Sequence, residues 1–229
     1  MAALPNIYII GSQSTGKTTL VNDLSKYFEH HPLAVEEPPG IIKEVARTIL
    51  ANYGFTRGDI RSSKDRTLQL QRLIIKGQFE AEESELETRS WFISDRSAVD
   101  PVVYARKYAS REGADALITS ARWVEMRNRM AKSLIIVCEA GVDWLADDGV
   151  RLMPLDSTEW MQTHSEFCDT LANIGLEYHV LPSKIGCRDE RAKFILARWE
   201  RKRRELTPAS DQHEHVKGNY QCKKSAPAT

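Results

Sequence analysis

Residues 11 to 18 read Gly-Ser-Gln-Ser-Thr-Gly-Lys-Thr, matching the pattern G-x-x-x-x-G-K-[ST]. No other stretch of the chain narrows its fold so far. Such a run is a phosphate-binding loop only when a strand leads into it and a helix leads out. Both flanks are present. Ile7-Tyr8-Ile9-Ile10 is a short apolar run that stops at Gly11, as a buried strand does. After the loop, Leu20, Val21, Leu24, Tyr27 and Phe28 recur at helical spacing.

The loop has a physical logic. A triphosphate is well solvated by water, so a protein that binds it must supply oriented donors instead. Gly11 and Gly16 let the backbone curl, so that the amides of Ser12, Gln13, Ser14 and Thr15 ring a phosphate. The following helix, opening near Lys17, Thr18 and Thr19, points its free N-terminal amides and positive dipole end at the same place. Lys17 is long enough to reach the outer phosphates, and the Thr18 hydroxyl is a ligand for Mg²⁺. ATP or GTP with Mg²⁺ is therefore the expected ligand.

Strand candidates alternate with helical stretches along the chain: 7–10, 33–36, 91–94, 134–138 and 177–181. Alternation of this kind predicts an α/β fold, a five-stranded parallel sheet with helices on both faces. Right-handed crossovers then gather the strand C-termini, and the site with them, along one edge. Helices are expected over 41–52, 64–87, 115–132 and 188–204. The 229 residues read as one domain over 1–204 and a polar tail over 205–229, which is expected to be disordered.

Composition limits the partners. Lys plus Arg and Asp plus Glu both number 32, so no global positive field points to nucleic acid. Cys138, Cys168, Cys187 and Cys222 form no C-x-x-C pair, which argues against a zinc site or a disulfide framework. No run approaches the length of a membrane span, and the start lacks a charged and then apolar leader. The cytoplasm is the expected compartment. Nothing in the sequence speaks to oligomeric state.

A second element completes the phosphate side. Trp91-Phe92-Ile93-Ser94 runs into Asp95-Arg96-Ser97. An acid at a strand's C-terminal end can reach the Mg²⁺, directly or through water. Many hydrolytic relatives of this architecture place a glutamate next, to orient water; here Arg96 supplies positive charge suited to a moving phosphoryl group. An Asn-Lys-x-Asp stretch for reading guanine is missing, as is a Leu-Ser-Gly-Gly-Gln transporter signature. A small-molecule kinase using ATP is the class that remains.

With these residues assembled, the chain resembles the small P-loop kinases related to the nicotinamide-riboside-kinase domain of the bacterial NadR type. That wider set is also classed as AAA-like domains, with eukaryotic members implicated in GTP and phosphoinositide binding. The resemblance rests on Gly11 to Thr18, on Glu44-Val45-Ala46-Arg47, on Asp95-Arg96-Ser97 with Asp100-Pro101-Val102-Val103-Tyr104, and on Asp147-Asp148-Gly149-Val150-Arg151. It spans residues 7 to about 200. The Pro38-Pro39-Gly40 insertion before Glu44 departs from it.

The resemblance implies a phosphoryl-transfer site. Lys17 and Arg96 would stabilise the phosphoryl group, Thr18 and Asp95 would hold the metal, and Arg151 would swing in on a kinase-type lid. Residues 147–151 read equally well as a polar surface loop. Glu44 can take the acceptor's hydroxyl proton or bind ribose, with Arg47 three residues on holding it by an ion pair. Glu36, Glu37 and Asp95 are rivals for the acid's role, and Asp100 and Tyr104 are expected in the acceptor pocket. Gln71 and Gln78 are minor candidates for the same pocket, on a long helix where polar residues are ordinarily solvated; the basic helix at 122–132 could face the acceptor or the base but reads better as a solvated face. The expected activity is phosphoryl transfer to a nucleoside-like hydroxyl. The alternative is a nucleotide-dependent switch or adaptor with little catalysis, binding phosphoinositide or protein.

Overall fold

The computed structural model describes residues 4–31, 37–143 and 152–206. Five strands form one all-parallel sheet: β1 Ile7–Ile10, β2 Gly40–Ile42, β3 Phe92–Asp95, β4 Leu134–Cys138 and β5 His179–Leu181. Their order across the sheet is β2-β3-β1-β4-β5. The registers bring Ile9 opposite Asp95 on one side and Ile136 on the other. The central strands read as unbroken apolar runs because both of their faces are covered.

Alternate residues divide the core into two layers. Tyr8, Ile10, Phe92, Ile135 and Val137 pack on one face with α4 (Lys64–Thr88), α5 (Val99–Tyr108), α6 (Arg111–Ile118), α7 (Ala121–Met130) and α8 (Ser157–Asn173). Ile7, Ile9, Ile93, Leu134 and Ile136 pack on the other with α1 (Lys17–His30) and α9 (Arg188–Leu206). The chain leaves β1 for one face and β3 for the other. A crevice therefore opens where the ends of these adjacent strands part, which is where open parallel sheets bind ligands. Two short helices, α2 (Val45–Asn52) and α3 (Arg57–Ser62), roof that crevice with the start of α4.

The sheet confirms the predicted class, with two revisions. The second strand is Gly40–Ile42, where a helix over 41–52 was expected, and that helix starts only at Val45. The expected strand at 33–36 falls outside the described residues. The predicted helix at 115–132 is two helices, because Ser120 ends one and caps the next by accepting a hydrogen bond from the Trp123 amide at 3.3 Å. Residues 147–151, including Arg151, and the tail from 207 also lie outside the described residues. Among those described, no helix is long and apolar enough to cross a membrane.

Candidate active site at the edge of the parallel sheet

The phosphate loop is held from three sides. Gly11 has φ 121°, and a side chain there would place its first carbon 2.7 Å from the Cys138 carbonyl oxygen on β4. Gly16 has φ 83° and precedes α1 with no side-chain cap, which leaves the first-turn amides of the helix facing the loop. The Trp160 indole of α8 donates to the Gln13 carbonyl at 3.0 Å, and Arg191 of α9 donates to the Thr15 carbonyl at 2.9 Å. Tyr104 of α5 donates to the Gln13 side-chain oxygen at 3.1 Å. Trp160 and Arg191 were not visible from sequence; each lies far from the loop in the chain and belongs to no motif.

Lys17 is buried and folds over the loop, donating to the Ser12 carbonyl at 2.5 Å. Burial, with Arg96 adding repulsion, lowers its pKa to about 8. A bound phosphate chain would add countercharge to that of Asp95 and Asp100. Next to Lys17, the Thr18 hydroxyl donates to Asp95 Oδ2 at 2.5 Å. The other carboxylate oxygen, Asp95 Oδ1, is buried with no hydrogen-bond partner among the described residues. An unsatisfied carboxylate oxygen beside a hydroxyl is a donor set that fits a hard divalent cation. Among the described residues no cluster of three acidic, His or Cys side chains exists, so a cation here shares its ligands with phosphate and water.

Arg96 is the hub of a second cluster of charges. Its backbone adopts φ 89°, a conformation that costs a non-glycine residue energy and turns its side chain across the crevice. The backbone amide is tied to the Ile9 carbonyl at 3.0 Å. Its guanidinium donates to Glu44 at 2.6 Å and to Asp100 at 2.9 Å. Arg47 donates to the second Glu44 oxygen at 2.7 Å. Burial alone would raise the Glu44 pKa, but Arg96 and Arg47 carry it well below the usual carboxylate range. Asp100 goes the other way: burial pushes its carboxyl up, against the pull of Arg96. Its Oδ2 also accepts from the Ser97 amide at 2.9 Å.

Two cavities meet at this hub. The phosphate cradle is lined by Ser14 to Thr19, with Glu44 and Arg96 at its rim. Beyond it lies a second pocket that also touches Glu44 and Arg96, together with Arg47, Asp100, Tyr104 and an apolar wall from α2, α3 and α4. The structure thus gathers Lys17, Thr18, Asp95, Arg96, Glu44, Arg47, Asp100 and Tyr104 into one region.

It does not gather Glu37. That residue precedes β2, accepts from the Ser90 amide at 3.2 Å and sits at the opposite end of β3. Glu37 was expected at the C-terminal end of a strand over 33–36, which lies outside the described residues; it instead stands ahead of β2. Glu36 and Arg151 are outside the described residues. Gln71 and Gln78, expected to be solvated, are buried and line the second pocket.

Comparison with known proteins agrees with this geometry. The solved NadR protein in complex with NR superposes with a TM-score of 0.63 at 24% identity, covering 86% of this chain and 52% of that one. NadR in complex with NAD and AMP-PNP gives 0.59 at 22% identity, covering 86% and 49%. Deoxyadenosine kinase from M. mycoides with bound dATP gives 0.57 at 12% identity, covering 86% and 99%. The chain therefore spans about half the length of the NadR proteins, and at these identities the likeness shows a shared fold. A search of curated proteins finds no match. A family model described as an AAA domain matches residues 6–191, and the chain belongs to that family.

Proposed function

We propose that this protein is an ATP- and Mg²⁺-dependent kinase that phosphorylates a hydroxyl of a small, nucleoside-like acceptor. The observation that carries the reading is the shared wall: Glu44 and Arg96 line both the phosphate cradle and the pocket beyond it. A group leaving the cradle passes these two residues to enter the pocket. The NadR and deoxyadenosine kinase structures, with AMP-PNP and dATP in their descriptions, favour an adenine nucleotide on the donor side.

In this mechanism the acceptor oxygen bonds to the terminal phosphorus as the bond from that phosphorus to the bridging oxygen breaks. Lys17 and Arg96 offset the charge that builds on the transferring group and on the departing diphosphate. Glu44 is held ionised by its two arginines, so it accepts a hydrogen bond from the acceptor hydroxyl throughout and receives its proton late. Thr18 and Asp95 would hold Mg²⁺, whose chemistry here is charge neutralisation between phosphates. For Arg151, outside the described residues, the resemblance implies a contact to the phosphates.

The test is turnover. Purified protein with labelled ATP, Mg²⁺ and a panel of nucleosides, read by mass spectrometry, should yield a phosphorylated nucleoside. Tight nucleotide retention with no phosphorylated acceptor would sink the proposal and favour a nucleotide-dependent switch.

A further inference from the structure

Two glutamines of α4 face the second pocket, and their surroundings differ. Gln78 is committed to the scaffold: its amide nitrogen donates to Glu82 at 3.0 Å and to the Ser94 hydroxyl at 3.1 Å. Glu82 is held in turn by Tyr8 at 3.0 Å and Arg129 at 2.6 Å, so that amide cannot turn without breaking a buried network. Gln71 has none of this. Its side chain is 2% exposed, lines the pocket and has no hydrogen-bond partner among the described residues. Its amide is not among the sealed, unsatisfied groups, so its donor and acceptor open into the pocket and are left for whatever fills it.

The position of Gln71 suggests what that occupant is. Seven residues separate it from Gln78, about 10 Å or two helical turns along one face of α4. Gln78 touches Ser94, the neighbour of Asp95, and Gln71 lies two turns closer to the N-terminus of α4. The charged lining residues are joined to one another in the Arg96 cluster. The apolar part of the pocket wall includes Leu50, Ile60, Leu70, Ile74 and Leu152. An apolar wall with one carboxamide left without a partner among the described residues suits a flat heterocycle better than a second phosphate, a carboxylate or a polyol.

Building on the kinase reading, we infer that Gln71 is the recognition residue for the acceptor's heterocycle. It selects a planar ring or carboxamide that carries a hydrogen-bond donor and acceptor side by side. A carboxamide pairs with such an edge through two parallel hydrogen bonds, its C=O accepting and its NH₂ donating. The acceptor's ribose then spans the distance back to Glu44 and Arg96.

Equilibrium binding tests this without needing turnover. Adenosine, cytidine, ribosylnicotinamide and 1-O-methylriboside are titrated calorimetrically into full-length protein with Mg²⁺ and AMP-PNP. At least one heterocycle-bearing ligand should bind tenfold or more tightly than the methylriboside. Gln71→Leu and Gln71→Met should each remove that advantage at least tenfold, with AMP-PNP affinity unchanged and Tm not lowered. Gln71→Met, unbranched and similar in length, is the readout if the leucine variant misfolds. Equal binding across the ligands, or an advantage that survives both substitutions, overturns the inference. If binding follows the expected pattern but no ligand is ever phosphorylated, the kinase reading fails and this one stands. If a nucleoside is phosphorylated equally well by wild type and both variants, the kinase reading stands and this one fails.

Discussion

The two halves of the crevice are built in opposite ways. The phosphate cradle comes chiefly from one continuous segment, Ser14 to Thr19, with Glu44 and Arg96 at its rim and Trp160 and Arg191 bracing it from behind. The pocket beyond it is assembled from α2, α3, α4 and α5 with Gln13 and Leu152, residues spread from 13 to 152. The cradle relies on backbone amides and a helix end, which any nucleoside triphosphate satisfies alike. The pocket relies on side chains, which can distinguish one acceptor from another. A local motif can thus commit a protein to a ligand class, while the choice of partner for that ligand is a property of the tertiary fold.

Substitutions can break this division or sharpen it. The largest effect is expected at the cradle: Lys17→Ala should lower kcat/KM about 10²–10³-fold for every acceptor alike while leaving cooperative thermal unfolding intact. A loss confined to some acceptors would break the division. Glu44→Gln, on the shared wall, should lower kcat about 10²-fold or more with nucleotide affinity nearly unchanged, read by steady-state kinetics beside AMP-PNP titration. Because Arg96 and Arg47 hold Glu44 ionised, no acidic limb from this residue should appear between pH 5 and pH 7 in kcat.

A smaller effect is expected from pH. The lowered Lys17 pKa of about 8 means its charge is lost from free protein as pH rises past that value. Phosphates bind the charged form, so nucleotide affinity should be flat below this point. Above it, affinity should weaken by about five- to tenfold per pH unit until the bound-state pKa is reached. Lys17→Arg, which does not titrate in this range, should remove that slope in a calorimetric titration. The smallest effect belongs to Trp160→Phe, which strips the buried Gln13 carbonyl of its indole donor. About 1–3 kcal/mol of stability should be lost, lowering Tm by roughly 2–4 °C per kcal/mol.

The contrast also explains what could be read in the sequence. The loop, its flanking strand and helix, and Asp95-Arg96 were readable because each is a contiguous run whose chemistry depends on neighbours in the chain. In sequence, the strand at Gly40–Ile42 reads as the start of a helix, because three residues are too few to show a strand's alternation. Pairing of Ile41 with Ile93 across the sheet is what fixes it. Glu37 precedes that strand, at the end of the sheet away from the site. Gln71 and Gln78 looked like surface residues because α4 is long and mostly polar. Gln78 is buried against Ser94 of β3, and Gln71 borders the pocket walled by α2 and α3, contacts that no helical periodicity encodes. The break at Ser120 was available as a capping residue but was outweighed by the helical residues on either side.

The indole of Trp160 has a use beyond bracing. It donates directly to the phosphate loop and is nearly sealed from solvent. Trp91 and Trp199 stack together on the opposite face of the sheet, with ring centres 5.0 Å apart. Among the described residues Trp160 is therefore an emitter bonded to the loop, while Trp91 and Trp199 lie across the sheet from it. Loop occupancy can be followed in the unlabelled protein as the part of the emission change that disappears in Trp160→Phe.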